Sequence, residues 1–540
     1  MALIVSVAQM RTIETEANQK GMTFDRMMDL AGKAVYACTV SRRGPAAKKR
    51  VTILCGSGNN GGDGLLAAAH FARAGADVRV FLTAARPESD PRRSAAEAAG
   101  AHVGIAINES IMNGLLASLE SSDILIDAVL GTGIKLPLRE PLAGILAGVK
   151  RRLESMVRQP FLVAVDCPSG VDCDTGQAAP QTLRADLTVT LGAAKNGLIA
   201  FPGAEFAGSL IVADIGLPAD LESLRIPGPI LADRELVKGW LKPRPRDSHK
   251  GTFGRVIVVG GSINYPGAPV LAGTGAYRSG AGLVTLAVAN PVYPAAFPLL
   301  PEATWIVLPE DFGVIAAGAA EVLLPEIEHS QAVVFGPGIG REKTTAVFLR
   351  EFLAGGQDKK NPIGFGQSGR QNSDPKKRLP PMVVDADALR MLAELDDWPA
   401  MLPAGSVLTP HPGEMEALTG LSKNEIQNDR SGVALRFAKD WNVVVILKGA
   451  FSVVAAPDGR CAIEPFATPA LARAGTGDVL AGTVGGLLAQ GIESWRAAAL
   501  GAYLHGRAGE LAEESLGASD SVLAGDVARC LSKAIAELRG

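Results

Sequence analysis

The sequence predicts an α/β protein made of two parallel-sheet domains in series, and three observations predict it. Short apolar runs of strand length alternate with longer helical patterns along most of the chain, which implies parallel sheets covered on both faces. Glycine-rich turns follow several of these runs, and the 62 glycines exceed ordinary usage. The 540 residues are too many for one ordinary core, and a stretch rich in proline and charge, 218–245, interrupts the alternation. The first domain is expected over residues 1–222 and the second over 223–540.

Composition narrows the function classes. Apolar residues make up 47% and charged residues 20% of a chain whose net charge is −3, so no basic surface argues for nucleic acid. The six cysteines form no CxxC pair and lie near no histidine at metal-ligand spacing, which suits reduced core thiols. The first residues do not read as a secretory signal, and no apolar stretch is long enough for a bilayer. A cytoplasmic location with no membrane or nucleic-acid partner is expected.

In chain order, residues 7–38 carry helical spacing and predict one or two helices. Residues 51–55 (VTILC) predict a buried strand that runs into the loop GSGNNGGDG at 56–64, followed by a helix over 65–74. A tight turn with left-handed Asn is the plain reading of that loop, but Asn59, Asn60 and Asp63 give it more side-chain oxygens than a turn requires. Strands are expected at 78–82, 123–130 and 161–166, with helices at 91–100 and 142–156. Asp127 and Asp166 close two of these strands, where open parallel sheets collect their ligands. Asn60, Asp127 and Ser169 supply oxygens suited to a hard cation.

The motifs GSGNNGGDG, DAVLGTG and AVDCPSGVD, followed by ADLTVT and KNGL, resemble the epimerase domain of NAD(P)H-hydrate repair enzymes, which has a Rossmann-like fold. The resemblance implies that Asn59, Asn60, Gly61, Gly62 and Asp63 bind the hydrated nicotinamide nucleotide. It implies the same for Gly131, Thr132, Gly133, Ile134, Lys135, Leu136 and Pro137, and for Asp166. It also implies that Asn60, Asp127 and Ser169 hold potassium. Epimerisation inverts a labile hydroxyl-bearing carbon beside a ring nitrogen, so one acid–base group near that carbon suffices. Asp166 is the candidate; Lys195 is a second, with a solvated surface lysine as its plain alternative.

The second half opens with a strand at 255–259, the loop GGSINYPG, a small-residue helix at 268–278 and a strand at 282–288. AVVFGPGIG at 332–340 predicts a strand with a phosphate-friendly turn, and MVVDADAL at 382–389 a strand entering a helix. VLTPHPGE at 407–414 predicts a strand and loop, and VVVILKGAFS at 443–452 a strong strand. Residues 355–381, polar and without apolar period, predict an exposed insertion. Two long helices are expected at 494–514 and 521–538. Between them and the last strand lies Gly475-Thr476-Gly477-Asp478. Its glycines and a helix N-terminus make an anion socket with a carboxylate at the rim; a helix cap is the plainer alternative.

Taken together, GGS..Y.GAP, RSGAGLVT, GPG.G, DADAL, TPHPGE, LKGA and AGTGDVLAG resemble the dehydratase domain of the same repair enzymes, which has a ribokinase-like fold. The resemblance implies that Ala272, Gly338, His411 and Asp478 contact the hydrated dinucleotide. It assigns Lys448, Gly449, Ala450, Phe451, Ser452 and Gly477 to the adenine nucleotide. The implied reaction is dehydration at the expense of ADP, with Mg²⁺ accompanying the nucleotide and Asp478 as general base. A homo-oligomer is also implied. The rival expectation is a small-molecule kinase fused to a nucleotide-binding module.

Overall fold

The computed structural model describes residues 3–105, 109–225, 228–355 and 379–540. The chain divides into two compact units, Met1–Leu231 and Ala232–Gly540. The division therefore falls at 231/232 instead of 222/223. The expected insertion at 355–381 falls mostly on 356–378, outside the described residues.

The first unit is organised on strands β1 (Arg50–Cys55), β2 (Asp77–Leu82), β3 (His102–Ile105), β4 (Ile124–Ala128), β5 (Phe161–Val165), β6 (Leu187–Leu191) and β7 (Ser209–Ala213). They form a seven-stranded sheet in the order β3-β2-β1-β4-β5-β6-β7, parallel throughout. The order reverses between β1 and β4, where open α/β sheets place their crevice. Period-two alternation sends Ile53, Val163 and Val189 to one face, beneath helices α1 (Val7–Gln19), α2 (Phe24–Arg43) and α3 (Asn59–Arg73). Leu54, Leu125 and Ala164 face the other side, beneath α4 (Glu109–Ser121) and α5 (Leu142–Glu154).

One expectation is corrected here. The glycine-rich segment is not a free loop: α3 begins at Asn59, with Gly58 as its N-cap. The glycines are required by close approach instead of by turning. A Cβ on Gly56 would lie 1.9 Å from the Val129 carbonyl oxygen, and one on Gly61 2.0 Å from that of Gly56. The helix thus starts almost against the strand ends.

The second unit carries β8 (Arg255–Val259), β9 (Leu283–Ala289), β10 (Thr304–Leu308), β11 (Ala332–Phe335), β12 (Met382–Val384), β13 (Val407–Leu408), β14 (Val444–Leu447), β15 (Val453–Ala455) and β16 (Cys461–Ile463). These run in the order β16-β15-β14-β13-β12-β11-β8-β9-β10. The pairs from β10 through β14 are parallel, and β15 and β16 turn back antiparallel. The strand expected at 443–452, ending in Lys448-Gly449-Ala450, runs to Leu447, and β15 starts at Val453 beyond a turn. Gly449 and Phe451 adopt φ +146° and +53° in that turn, values a continuous strand excludes.

Helices α6 (Ala268–Ser279), α7 (Pro412–Thr419), α8 (Thr476–Ala489) and α9 (Ser494–Leu516) frame the sheet edge. Small residues let α6 and α8 touch backbone to backbone. A Cβ on Gly482 would stand 1.8 Å from the Ala272 carbonyl oxygen, and one on Gly275 2.5 Å from that of Val479. The small-residue face of α8 is used inside the unit, where residues Val479–Ala489 are buried. It leaves no exposed stripe for a second copy of the chain.

Candidate active sites

In the first unit the carboxyl ends of β1, β4 and β5 bring Asn60, Asp127 and Ser169 together. Asp127 is fully buried. Its Oδ1 accepts the Ser169 hydroxyl at 2.5 Å and its Oδ2 accepts the Ser169 N–H at 2.8 Å. Ser169 Oγ also accepts the Leu130 N–H at 2.9 Å. Asn60 Nδ2 donates to the Leu130 carbonyl at 2.9 Å, while its Oδ1 is buried with no hydrogen-bond partner. A buried acceptor without a donor is costly. One carboxylate with neutral oxygens and an orphaned amide oxygen is a donor set that fits a hard monovalent cation.

Beside this cluster Asp166 follows β5 in the left-handed region, φ +64°. Its Oδ1 accepts from the Lys195 ammonium, the Leu191 N–H at 3.1 Å and the Thr190 hydroxyl at 3.4 Å. Lys195 is 1% exposed and also donates to the Leu191 carbonyl at 2.9 Å. The solvated-lysine alternative is thereby overturned: this ammonium has its partners inside the protein. Burial pushes Glu14 and Asp63 above the usual carboxylate range, and the Asp166 charge adds to both. The site thus gathers three carboxyl groups around one buried lysine. Gly131, Thr132, Gly133, Ile134, Lys135, Leu136 and Pro137 follow β4 as a part-exposed loop, open to a ligand.

Sequence reasoning missed two members of this site. Arg86 is buried, donates from Nε to the Gly56 carbonyl at 3.0 Å, reaches the Gly58 carbonyl as well, and pairs with Asp90 at 2.6 Å. It braces the turn that starts α3. Glu14 comes from α1, well upstream in the chain. No local motif marks either.

In the second unit Gly475 caps α8 with φ +88°, and Asp478 lies in the first turn. The Thr476 hydroxyl donates to the Leu471 and Arg473 carbonyls at 2.8 and 2.9 Å, closing the loop over the helix start. From β14, Lys448 reaches Asp385 at 2.7 Å and Glu414 at 3.6 Å. Asp385 follows β12, is 1% exposed, and accepts the Thr409 hydroxyl at 2.7 Å. A Cβ on Gly477 would lie 3.4 Å from Lys448 Nζ, so the ammonium sits at the mouth of α8. Burial would lower Lys448, but Asp385 and Glu414 outweigh it and hold the ammonium charged. Burial raises Asp478 to about 8, with Asp385 adding to the rise and Lys448 opposing it.

His411 is not simply in a loop; it is the N-cap of α7. Its Nδ1 accepts the Gly413 N–H at 2.9 Å, and Glu414 accepts the His411 N–H at 2.8 Å. Burial and the Lys448 charge depress its pKa, giving a neutral ring with the proton on Nε2. Gly338, at φ +63°, lies past β11, where a Cβ would meet Ala268 and Tyr265 at 2.7 Å. Gly449, Ala450, Phe451 and Ser452 form the β14–β15 turn, closed by a bond from the Ser452 hydroxyl to the Gly449 carbonyl at 2.9 Å. Ala272 is fully buried, with its backbone against Gly482 of α8. Asp385 and Glu414 were overlooked, although DADAL and TPHPGE carry them. Ser262, at the end of the GGS motif, holds a buried hydroxyl without a partner.

Residues 24–197 match the family model described as YjeF-related protein N-terminus. Residues 256–359 and 367–533 match the model described as NAD(P)H-hydrate dehydratase. A Moorella thermoacetica protein named bifunctional NAD(P)H-hydrate repair enzyme Nnr is 36% identical over 97% of this chain and 95% of its own length. A Thermofilum pendens protein of the same name is 35% identical over 99% and 97%. The crystal structure of an ADP/ATP-dependent NAD(P)H-hydrate dehydratase from Bacillus subtilis, co-crystallised with ATP and Mg²⁺, is 28% identical. It covers 57% of this chain and 98% of its own, with TM-score 0.45.

The Lys195–Asp166 pair has a direct stability consequence. Removing one partner strands a buried charge, at a cost of about 3–5 kcal/mol. Lys195→Met is expected to destabilise the first unit by that amount in urea titration. The double variant Lys195→Met/Asp166→Asn should recover most of the loss, and a double variant no more stable than the single one would refute the coupling.

Proposed function

The chain belongs to the family of bifunctional NAD(P)H-hydrate repair enzymes, and from that premise we propose which residues carry each activity. The first unit is the epimerase, an isomerase, and the second is the nucleotide-dependent dehydratase, a lyase. The observation that carries the residue assignment is Asp478: a carboxyl raised to about 8 at a helix mouth, beside the Lys448 ammonium.

In the dehydratase the backbone N–H groups at the start of α8 cradle the transferring phosphoryl group, and Lys448 offsets its charge. Asp478 takes the proton of the substrate hydroxyl as its oxygen attacks the terminal phosphorus of ADP. The phosphorus–oxygen bond to the departing AMP breaks. The ring-nitrogen electron pair then expels phosphate from the carbon, and loss of a proton from the neighbouring ring carbon restores the dihydronicotinamide. His411, neutral and tethered at Nδ1, has Nε2 3.3 Å from Glu414 Oε1 and contacts the bound dinucleotide with its ring. Among the described residues no group of three or more His, Cys, Asp and Glu is arranged to hold a metal. Mg²⁺ would therefore be carried chiefly by the nucleotide phosphates, with Asp385 and Glu414 beside it.

In the epimerase Asp166 is the acid–base group. Its hydrogen bonds gather on Oδ1, which leaves Oδ2 for the substrate, and Lys195 keeps the carboxyl oriented. Asn60, Asp127, Ser169 and the Leu130 carbonyl would hold K⁺, whose charge there favours the negatively charged substrate phosphates. The Gly131–Pro137 segment and the α3 N-terminus line the nucleotide.

Three outcomes test this reading. With chemically made NADHX, Asp478→Ala is expected to cut dehydration by about 10²–10⁴-fold while epimer exchange continues, and Asp166→Ala to do the reverse. A phosphorylated product that accumulates in phosphate-31 NMR would instead identify a kinase. The kcat/KM for dehydration should climb with pH up to about 8 and then level off, because the base acts only when deprotonated; a falling profile across that range would remove Asp478 from the role. Replacing K⁺ by Li⁺ should slow epimer exchange and spare dehydration, and equal rates in both salts would discard the cation site.

A further inference from the structure

At the far side of the second unit from its reactive end lies a cavity of about 370 Å³ that the repair chemistry does not use. Four cations line it, Lys238, Lys242, Arg244 and Arg539, with Leu241 and Leu538 as apolar surface and no acidic side chain in the lining. Its size suits a small ligand. The four cations are exposed, and two of them are held in place. Arg244 lies flat over the Phe253 ring, its guanidinium carbon 3.7 Å from the centroid, which fixes the planar fork. Lys242 Nζ donates to the Gln490 and Gly491 carbonyls at 2.8 and 2.9 Å. Prolines at 243 and 245 stiffen the backbone between these cations.

Electrostatics then defines the ligand. Burial depresses the Arg244 guanidinium, and the nearby Arg539 charge depresses it further. Like charges brought together in one pocket repel, and an anion placed between them removes that repulsion. Two guanidinium forks and two ammonium groups match adjacent phosphoryl groups better than a single carboxylate. We infer that this cavity binds a compact phosphorylated polyanion with at least two adjacent phosphoryl groups. It is separate from the nucleotide socket. Lys242 contacts the carboxyl end of α8, Asp478 stands at the amino end, and a helix of 14 residues spans about 21 Å.

The source of the ligand is either inorganic diphosphate or the diphosphate arm of a nucleotide, and two titrations tell them apart. The full chain is titrated calorimetrically with inorganic pyrophosphate and, separately, with ADP, as wild type and as Arg244→Gln/Arg539→Gln. One binding site per chain is expected to disappear, or to weaken at least tenfold, in the double variant. Loss in the pyrophosphate series assigns an inorganic ligand, and loss of a second ADP site assigns a nucleotide. Unchanged melting and dehydration rates confirm that the variant is folded. Should the double variant not fold, Lys238→Gln, at an exposed position, is expected to weaken the same site severalfold. Equal stoichiometry and affinity for both probes in wild type and variant would overturn the inference.

Discussion

Both units depend on one device, a buried lysine–aspartate pair at the carboxyl edge of a parallel sheet. In the first, Asp166 follows β5 and Lys195 lies just past β6. In the second, Asp385 follows β12 and Lys448 follows β14, and Thr409 from the end of β13 bonds the same carboxylate. Parallel strands all end at one edge, so residues far apart in sequence meet there without any loop being long. An isolated buried charge costs several kcal/mol. Each pair therefore constrains the strand ends it joins and holds them where ligands bind.

The fold class was legible because parallel, doubly covered strands read as short continuous apolar runs. The candidate residues were legible where backbone geometry demanded glycine, as at Gly475, whose φ of +88° few other residues adopt. Local signals failed where tertiary contact decided. Nothing within GSGNNGGDG says that a helix starts at Asn59; that follows from the packing of Gly56 and Gly61 against neighbouring backbone. Nor does VVVILKGAFS, whose apolar run stops at Leu447, show that the chain reverses into an antiparallel β15. Lys195 could be read either as a candidate or as a surface lysine because Asp166, its partner, is contributed by a different strand. Asp385 and Glu414 were visible as letters but silent as roles until Lys448 was seen between them.

The key carboxylates of the two units sit in different settings. Asp166 is held through Oδ1 by an ammonium, a backbone N–H and a hydroxyl, which fix its orientation. Asp478 is raised to about 8 by burial and by the carboxylate Asp385. In the role proposed for it, Asp478 accepts the proton of an alcohol while phosphorus is attacked. The folded-state value lies above the ordinary carboxylate value, so ionised Asp478 costs stability. That cost is absent below about pH 4 and grows as pH rises to about 8. Lys448 opposes the rise but is shared with Asp385 and Glu414, and cannot neutralise three carboxylates at once. The strain is useful, because a phosphoryl group entering the α8 mouth changes how Lys448 divides its charge. Asp166 has a lysine to itself, whereas Lys448 is divided among several carboxylates, so under the proposed roles each reaction has an environment of its own.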